Sequence, residues 1–171
     1  MATKPRYRKQ QKCDDCGPTA VLNALRWAGH NQCIKEIGKK VKYEGGVYMP
    51  DMQTGIKHVG KGIFRSRRVY NPKFEDIQNH LSTGGSIIYR YRYWSWRCLY
   101  DVGHLVFIHG MSKSGNTFYV VNDSESSPTV KGFRKHRFIA RFVEHDYRTA
   151  NIAWFLRKKD ANRQRKIENP Y

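Results

Sequence analysis

At Gly84-Gly85 the chain changes character, and that change limits the folds open to it. Upstream, apolar residues recur at helical spacing. Val21, Leu22, Leu25 and Ala28 mark one face of a helix over 16–28, with Pro18 in the first turn, where a missing N–H is tolerated, and Gly29 as the stop. Further helices are expected over 34–41, over 50–59 closed by Gly60, and over 74–81 closed by Gly84-Gly85, with a break at Gly45-Gly46. Downstream, β-branched and aromatic runs predict strands over 86–93, 105–109, 117–122, 138–143 and 152–156. The polar, glycine-bearing turn over 110–116 joins the second and third of these into a hairpin. Helices first and antiparallel strands after predict an α+β fold.

With 171 residues the chain can bury one sizeable core, and 39% hydrophobic with 13% aromatic residues excludes a disordered chain. Three parts are expected: a basic N-terminal arm over 1–12, a folded domain over 13–157 and a charged C-terminal tail over 158–171. No apolar run approaches the roughly 18 residues of a membrane span. The positive N-terminus is followed by no apolar stretch, which argues against a secretory signal. Four cysteines without an export signal point to reduced thiols in a cytoplasmic setting. The net charge of +18 gathers at both ends and in Lys57, Lys61, Arg65, Arg67 and Arg68. It favours nucleic acid, an anionic surface or an acidic protein as partner, and equally serves solubility. Small size with strong basicity suits a phage or bacterial origin, virion association included.

Chemistry concentrates around Cys16, in Gln10-Gln11-Lys12-Cys13-Asp14-Asp15-Cys16-Gly17-Pro18-Thr19-Ala20. A cysteine that opens a helix meets unsatisfied N–H groups and the positive end of the dipole, which favour the thiolate, its reactive form. Gly17 leaves room for a substrate backbone. Acyl transfer also needs a base, an acceptor that orients it and an oxyanion hole. His104 opens the second strand and Asp123 ends the third, so the hairpin can bring them together at one end of the sheet. Gln10, six residues before Cys16, can join the Cys16 N–H as an oxyanion donor. Gln11 is a rival to Gln10, and Asn122 a rival acceptor to Asp123.

Glutamine, a six-residue step, Cys-Gly-Pro-Thr-Ala on a helix, a later Gly-His before an apolar run, and Val-Asn-Asp together resemble the bacteriocin-processing (double-glycine) peptidase-like family of papain-like cysteine peptidases. The resemblance runs from about Gln10 to Leu156. It implies the papain-like fold, with N-terminal helices packed on a C-terminal antiparallel sheet, and a thiol peptidase without metal or organic cofactor. It implies an oxyanion role for Gln10, the nucleophile at Cys16, the base at His104 and the orienting role at Asp123. Ser124 stands where the family commonly has proline.

Other readings compete. Cys13-x2-Cys16 with His30-x2-Cys33 has zinc-like spacing, but a helix from Cys16 would hold His30 about 18 Å away at roughly 1.5 Å per residue. Cys13, Cys33 and Cys98 read as ordinary thiols, and His58 and His109 as structural histidines. Asp14 and Asp15 can oppose the helix dipole at Cys16 or select a basic group on the substrate. Tyr89 to Arg97 interleaves aromatics with arginines, as in surfaces that stack bases; the plainer reading is an amphipathic strand with a basic solvent face. Trp94 and Trp96 are candidates for a cleft wall. The expected function is cleavage of a peptide or isopeptide bond, with acyl transfer to an amine as a variant. The alternative is a basic nucleic-acid- or virion-associated binding protein on the same fold.

Overall fold

The computed structural model describes residues 5–11, 15–41, 49–95, 100–122, 129–144 and 151–159. In chain order the elements are α1 Cys16–Trp27, α2 Ile34–Lys40, α3 Met49–Val59, β1 Phe64–Tyr70, α4 Phe74–Ser82, β2 Ser86–Ser95, β3 Tyr100–Met111, β4 Thr117–Val121, β5 Val130–Arg134, α5 Lys135–Phe138 and β6 Ile152–Lys158. A π-helical turn, Ile139–Val143, continues α5. The six strands form one antiparallel sheet in the order β1-β6-β2-β3-β4-β5.

Both faces of the central strands are covered, so β2, β3 and β6 read as near-continuous apolar runs. Alternate residues divide between two cores. Ile88, Leu105, Phe107, Trp154 and Leu156 pack with α1, α2 and α3 on one face. Ile87, Tyr89, Val106, Ile108 and Phe155 pack with α4, α5 and the π-helical turn on the other. Helix α1 lies deep against the first face, with Val21, Leu22, Ala24 and Leu25 all buried. It ends in a Schellman motif at Gly29, where φ is +91° and the His30 N–H donates to the Leu25 carbonyl at 2.9 Å.

The four expected helices are present, and the strands over 86–93, 105–109, 117–122 and 152–156 correspond to β2, β3, β4 and β6. The strand expected over 138–143 is instead the end of α5 and the π-helical turn. Phe138 and Phe142, four residues apart, both point into the second core, as a helical repeat requires. Two strands went unforeseen: β1, which interrupts the helical half, and β5. They are the two edges of the sheet.

Candidate active site

The arm and α1 run side by side in opposite directions. The Arg26 guanidinium donates to the Arg6 carbonyl at 2.8 Å. Three residues earlier on α1, the buried Asn23 accepts from the Arg8 N–H and donates to the Arg8 carbonyl, each at 2.8 Å. Tyr7 packs on Phe107 and His109 of β3, with ring centroids 5.8 and 4.8 Å away, and burial pushes its hydroxyl up to about 12. The arm thus descends from the C-terminal to the N-terminal end of α1 and delivers Gln10 to the end that carries Cys16. Strand β3 runs the same way as α1: the Phe107 ring lies 6.5 Å from Trp27 at the far end of the helix, and His104 stands three residues back toward Cys16.

At that end Gln10, Asn122 and His104 form one buried group, 9%, 1% and 3% exposed. The Gln10 N–H donates to Asn122 Oδ1 at 2.9 Å, and Asn122 Nδ2 donates to Gln10 Oε1 at 2.8 Å. His104 Nε2 lies 2.8 Å from the Asn122 backbone carbonyl. These partners settle the polarity of every group. A backbone N–H can only donate, which fixes the Asn122 oxygen toward Gln10 N and its nitrogen toward Gln10 Oε1. The Gln10 Nε2 end is then turned from Asn122, and none of the described residues accepts from it. A carbonyl has no proton to give, so Nε2 carries a hydrogen, and whenever the His104 ring is neutral Nδ1 keeps its lone pair.

Local structure explains the placement. Asn122 has φ +64°, a left-handed conformation that asparagine tolerates better than most residues, and its N–H donates to the Thr129 carbonyl at 3.0 Å. The turn ends β4 and leaves the Asn122 carbonyl to His104. His104 pairs with Tyr91 in the β2–β3 register, and the Tyr91 ring meets its imidazole edge-on at 5.9 Å.

Cys16 is the first residue of α1, half-buried against the first core. Asp15, just before it, is the N-cap, and its side chain makes no capping bond. The structure therefore brings Gln10 and His104 into one cluster through Asn122, and Cys16 stands at the end of α1 toward which the arm carries Gln10. Asp123, Asp14, Cys13, Cys98 and Trp96 lie outside the described residues, as does the side chain of Trp94. Gln11 is exposed and accepts from the Arg8 guanidinium at 2.8 Å, which ties it to the surface away from Asn122. Cys16 opens α1 and His30 lies just past its other end, so a 12-residue helix about 18 Å long at 1.5 Å per residue stands between them, too far for one metal ion. Among the described residues no group of three acidic, histidine or cysteine side chains could hold a metal.

Tyr89 and Tyr91 are buried in the second core. Tyr89 donates to the Phe142 carbonyl, and Tyr91 accepts from Arg141 at 3.2 Å. Those rings are engaged in packing and are closed to bases. Asn23 and the second role of Asn122 escaped the sequence reading. An asparagine inside the apolar run of α1 was the available signal for the first, because a polar side chain there must find a buried partner.

The Peptidase_C39 like family matches residues 3–150. The chain belongs to that family. It is thus a cysteine peptidase with the papain-like fold. Among solved structures it is similar to the peptidase domain of Streptococcus ComA, a bi-functional ABC transporter involved in a quorum-sensing pathway. Identity there is 18% and the TM-score 0.64, over 90% of this chain and 100% of that one. It is also similar to a double glycine motif protease from an AMS/PCAT transporter, solved in complex with the leader peptide. Identity is 12% and the TM-score 0.62, over 91% of this chain and 93% of that one. No curated protein sequence matches. Among the described residues no helix is long and apolar enough to cross a membrane.

Proposed function

We propose that this peptidase cleaves a peptide or isopeptide bond within a specific sequence, with Cys16 as nucleophile, His104 as base, Asp123 as the carboxylate that orients and stabilises the imidazolium, and Gln10 with the Cys16 N–H as oxyanion donors. The observation that carries the reading is the His104 hydrogen bond: Nε2 is committed to the Asn122 carbonyl at 2.8 Å, which leaves Nδ1 as the proton acceptor. His104 takes the thiol proton, and the sulfur attacks the scissile carbonyl. The carbonyl oxygen collects negative charge against Gln10 Nε2 and the Cys16 N–H at the head of α1. Collapse expels the amine, which leaves with the proton from His104. Water, deprotonated by His104, then attacks the thioester, and Cys16 departs as the acid forms. A peptide segment as substrate agrees with the leader-peptide complex of the AMS/PCAT relative.

Intact-mass labelling with a thiol-reactive, peptide-like electrophile across pH 5–9 tests this. Selective labelling of Cys16 below neutral pH, weakened in His104→Ala and absent in Cys16→Ala, is expected. Equal and slow labelling of all four cysteines would sink it. Product mass separates hydrolysis from transfer of the acyl group to an amine.

The basic edge favours a second reading, the binding of a nucleic acid on the same fold. Arg65 stands directly across from Arg157, with Arg67 beside them, and none of the three has an ion-pair partner among the described residues. A complex that weakens steeply with salt and with loss of these arginines is the expected sign.

A further inference from the structure

From the Gln10–Asn122–His104 geometry we infer that Asn122 is a positioning residue, whose carboxamide sets which end of the Gln10 side chain faces the reacting carbonyl. This rests on the peptidase reading above and adds the reason why Gln10 presents a donor. A glutamine amide has an oxygen end and a nitrogen end of nearly the same size, and rotation by half a turn exchanges them. Only the nitrogen end stabilises an oxyanion; the oxygen end repels it. Something must decide between the two.

Asn122 decides through a chain of forced polarities. The Gln10 N–H, 2.9 Å away, holds Asn122 Oδ1. The Asn122 Nδ2 end then meets Gln10 Oε1 at 2.8 Å, and an amino group there selects the oxygen of Gln10. Gln10 Nε2 is left facing away from Asn122, with no acceptor among the described residues. At 1% exposure Asn122 has no water to substitute for these bonds. The same residue receives the His104 ring on its own carbonyl at 2.8 Å. One asparagine therefore sets the register of the oxyanion donor and of the base together.

Asn122→Asp separates this role from a merely structural one. The carboxylate has no hydrogen for Gln10 Oε1, so the Gln10 amide turns its Nε2 end inward and its oxygen toward the substrate carbonyl. Asn122→Ala removes the bias without reversing it. Two probes divide the chemistry. Iodoacetamide alkylation of Cys16 needs the thiolate and no oxyanion hole. A peptide aldehyde needs both, because the thiolate adds to the aldehyde carbon, whose oxygen takes the charge and then a proton from His104.

The expected result is that Asn122→Asp slows aldehyde addition and peptide hydrolysis by about 10²- to 10³-fold, the usual loss on removing an oxyanion donor. Asn122→Ala loses less than Asn122→Asp. Iodoacetamide alkylation of Cys16 on its high-pH plateau stays within about threefold of wild type in both variants; its pH profile is unchanged in Asn122→Ala and shifts in Asn122→Asp, whose added negative charge beside His104 favours the imidazolium, and adding Gln10→Ala to Asn122→Asp costs little more. Thermal melts identify variants folded at the assay temperature; should Asn122→Asp not fold, the comparison of Asn122→Ala with Gln10→Ala and their double variant carries the test. Losses that multiply in the double variant, or that fall equally on both probes, overturn the assignment. Absence of selective Cys16 alkylation in the wild type overturns the peptidase reading itself, a different observation.

Discussion

His104 donates its Nε2 hydrogen to the main-chain carbonyl of Asn122, so the orientation of the ring is held partly by an atom that no side-chain change removes. This bears on Asp123, the next residue, to which we assign the orienting carboxylate. Asp123→Ala is expected to lower kcat/KM by about 10- to 100-fold, while His104→Ala abolishes turnover by about 10⁴-fold. Steady-state kinetics on a peptide substrate check the order. An equal collapse in both would mean that the carboxylate alone holds the ring.

Asn23 ties the arm to α1 through two 2.8 Å bonds to the main chain of Arg8. Asn23→Ala leaves that N–H and carbonyl without their partner, at a cost of about 1–3 kcal/mol. Tenfold faster trypsin cleavage after Arg8 or Lys9 corresponds to about 1.4 kcal/mol of easier local opening. Peptide hydrolysis should fall in parallel, since Gln10 rides on the same segment. Unchanged trypsin susceptibility would show that other contacts suffice.

Buried His80 places Nε2 3.1 Å from the Ser86 carbonyl and 2.9 Å from the Leu156 carbonyl, and stacks at 4.7 Å on Phe155. Burial lowers its pKa below the ordinary 6.5, and nearby Arg157 and Arg67 lower it further, against the two carbonyl bonds. The unfolded chain therefore binds this proton more readily than the folded one. The contribution of His80 to stability is complete above pH about 6.5 and is lost as pH falls from there toward the folded-state pKa. Melting temperatures of wild type and His80→Gln should converge over that window on acidification. Parallel curves would assign the acid sensitivity to other groups.

Arg65 and Arg157 face one another across β1 and β6, and Arg157 donates to Thr83 Oγ1 at 3.1 Å. Like charges directly opposite are unfavourable, so Arg65→Glu should stabilise the fold by about 0.5 kcal/mol at low salt. The gain should shrink as salt screens the pair. Urea denaturation at two ionic strengths reads both; an unaltered midpoint at low salt would show that solvent already separates the two guanidiniums.

Helices α1 to α4 and the inner strands were legible because each buries a face or a whole run, and burial writes a period into the sequence. Edge strands bury little. In β1 only Phe64 is buried, and the exposed positions carry Arg65, Arg67 and Arg68, a composition that protects an edge and erases its signature. The run over 138–143 misled for the opposite reason: its aromatic and β-branched residues fit a strand, and only the common burial of Phe138 and Phe142 reveals the helical turn. At the site, Gln10 with Cys16 and, separately, His104 each stand in a short local motif, which is what makes them candidates from the sequence. The pairing of Gln10 with Asn122 spans 112 residues and depends on a left-handed turn, which no periodicity records.

That long span has a consequence for the birth of the molecule. Asn122 follows Cys16, the proposed nucleophile, by about a hundred residues, several seconds of synthesis at about 5–20 residues per second. Throughout that interval the growing chain holds a thiol whose base has no anchor and whose oxyanion donor has no orientation. On the proposed assignment, hydrolytic competence therefore arrives with the hairpin of β3 and β4, and neighbouring nascent segments are safe from it until then.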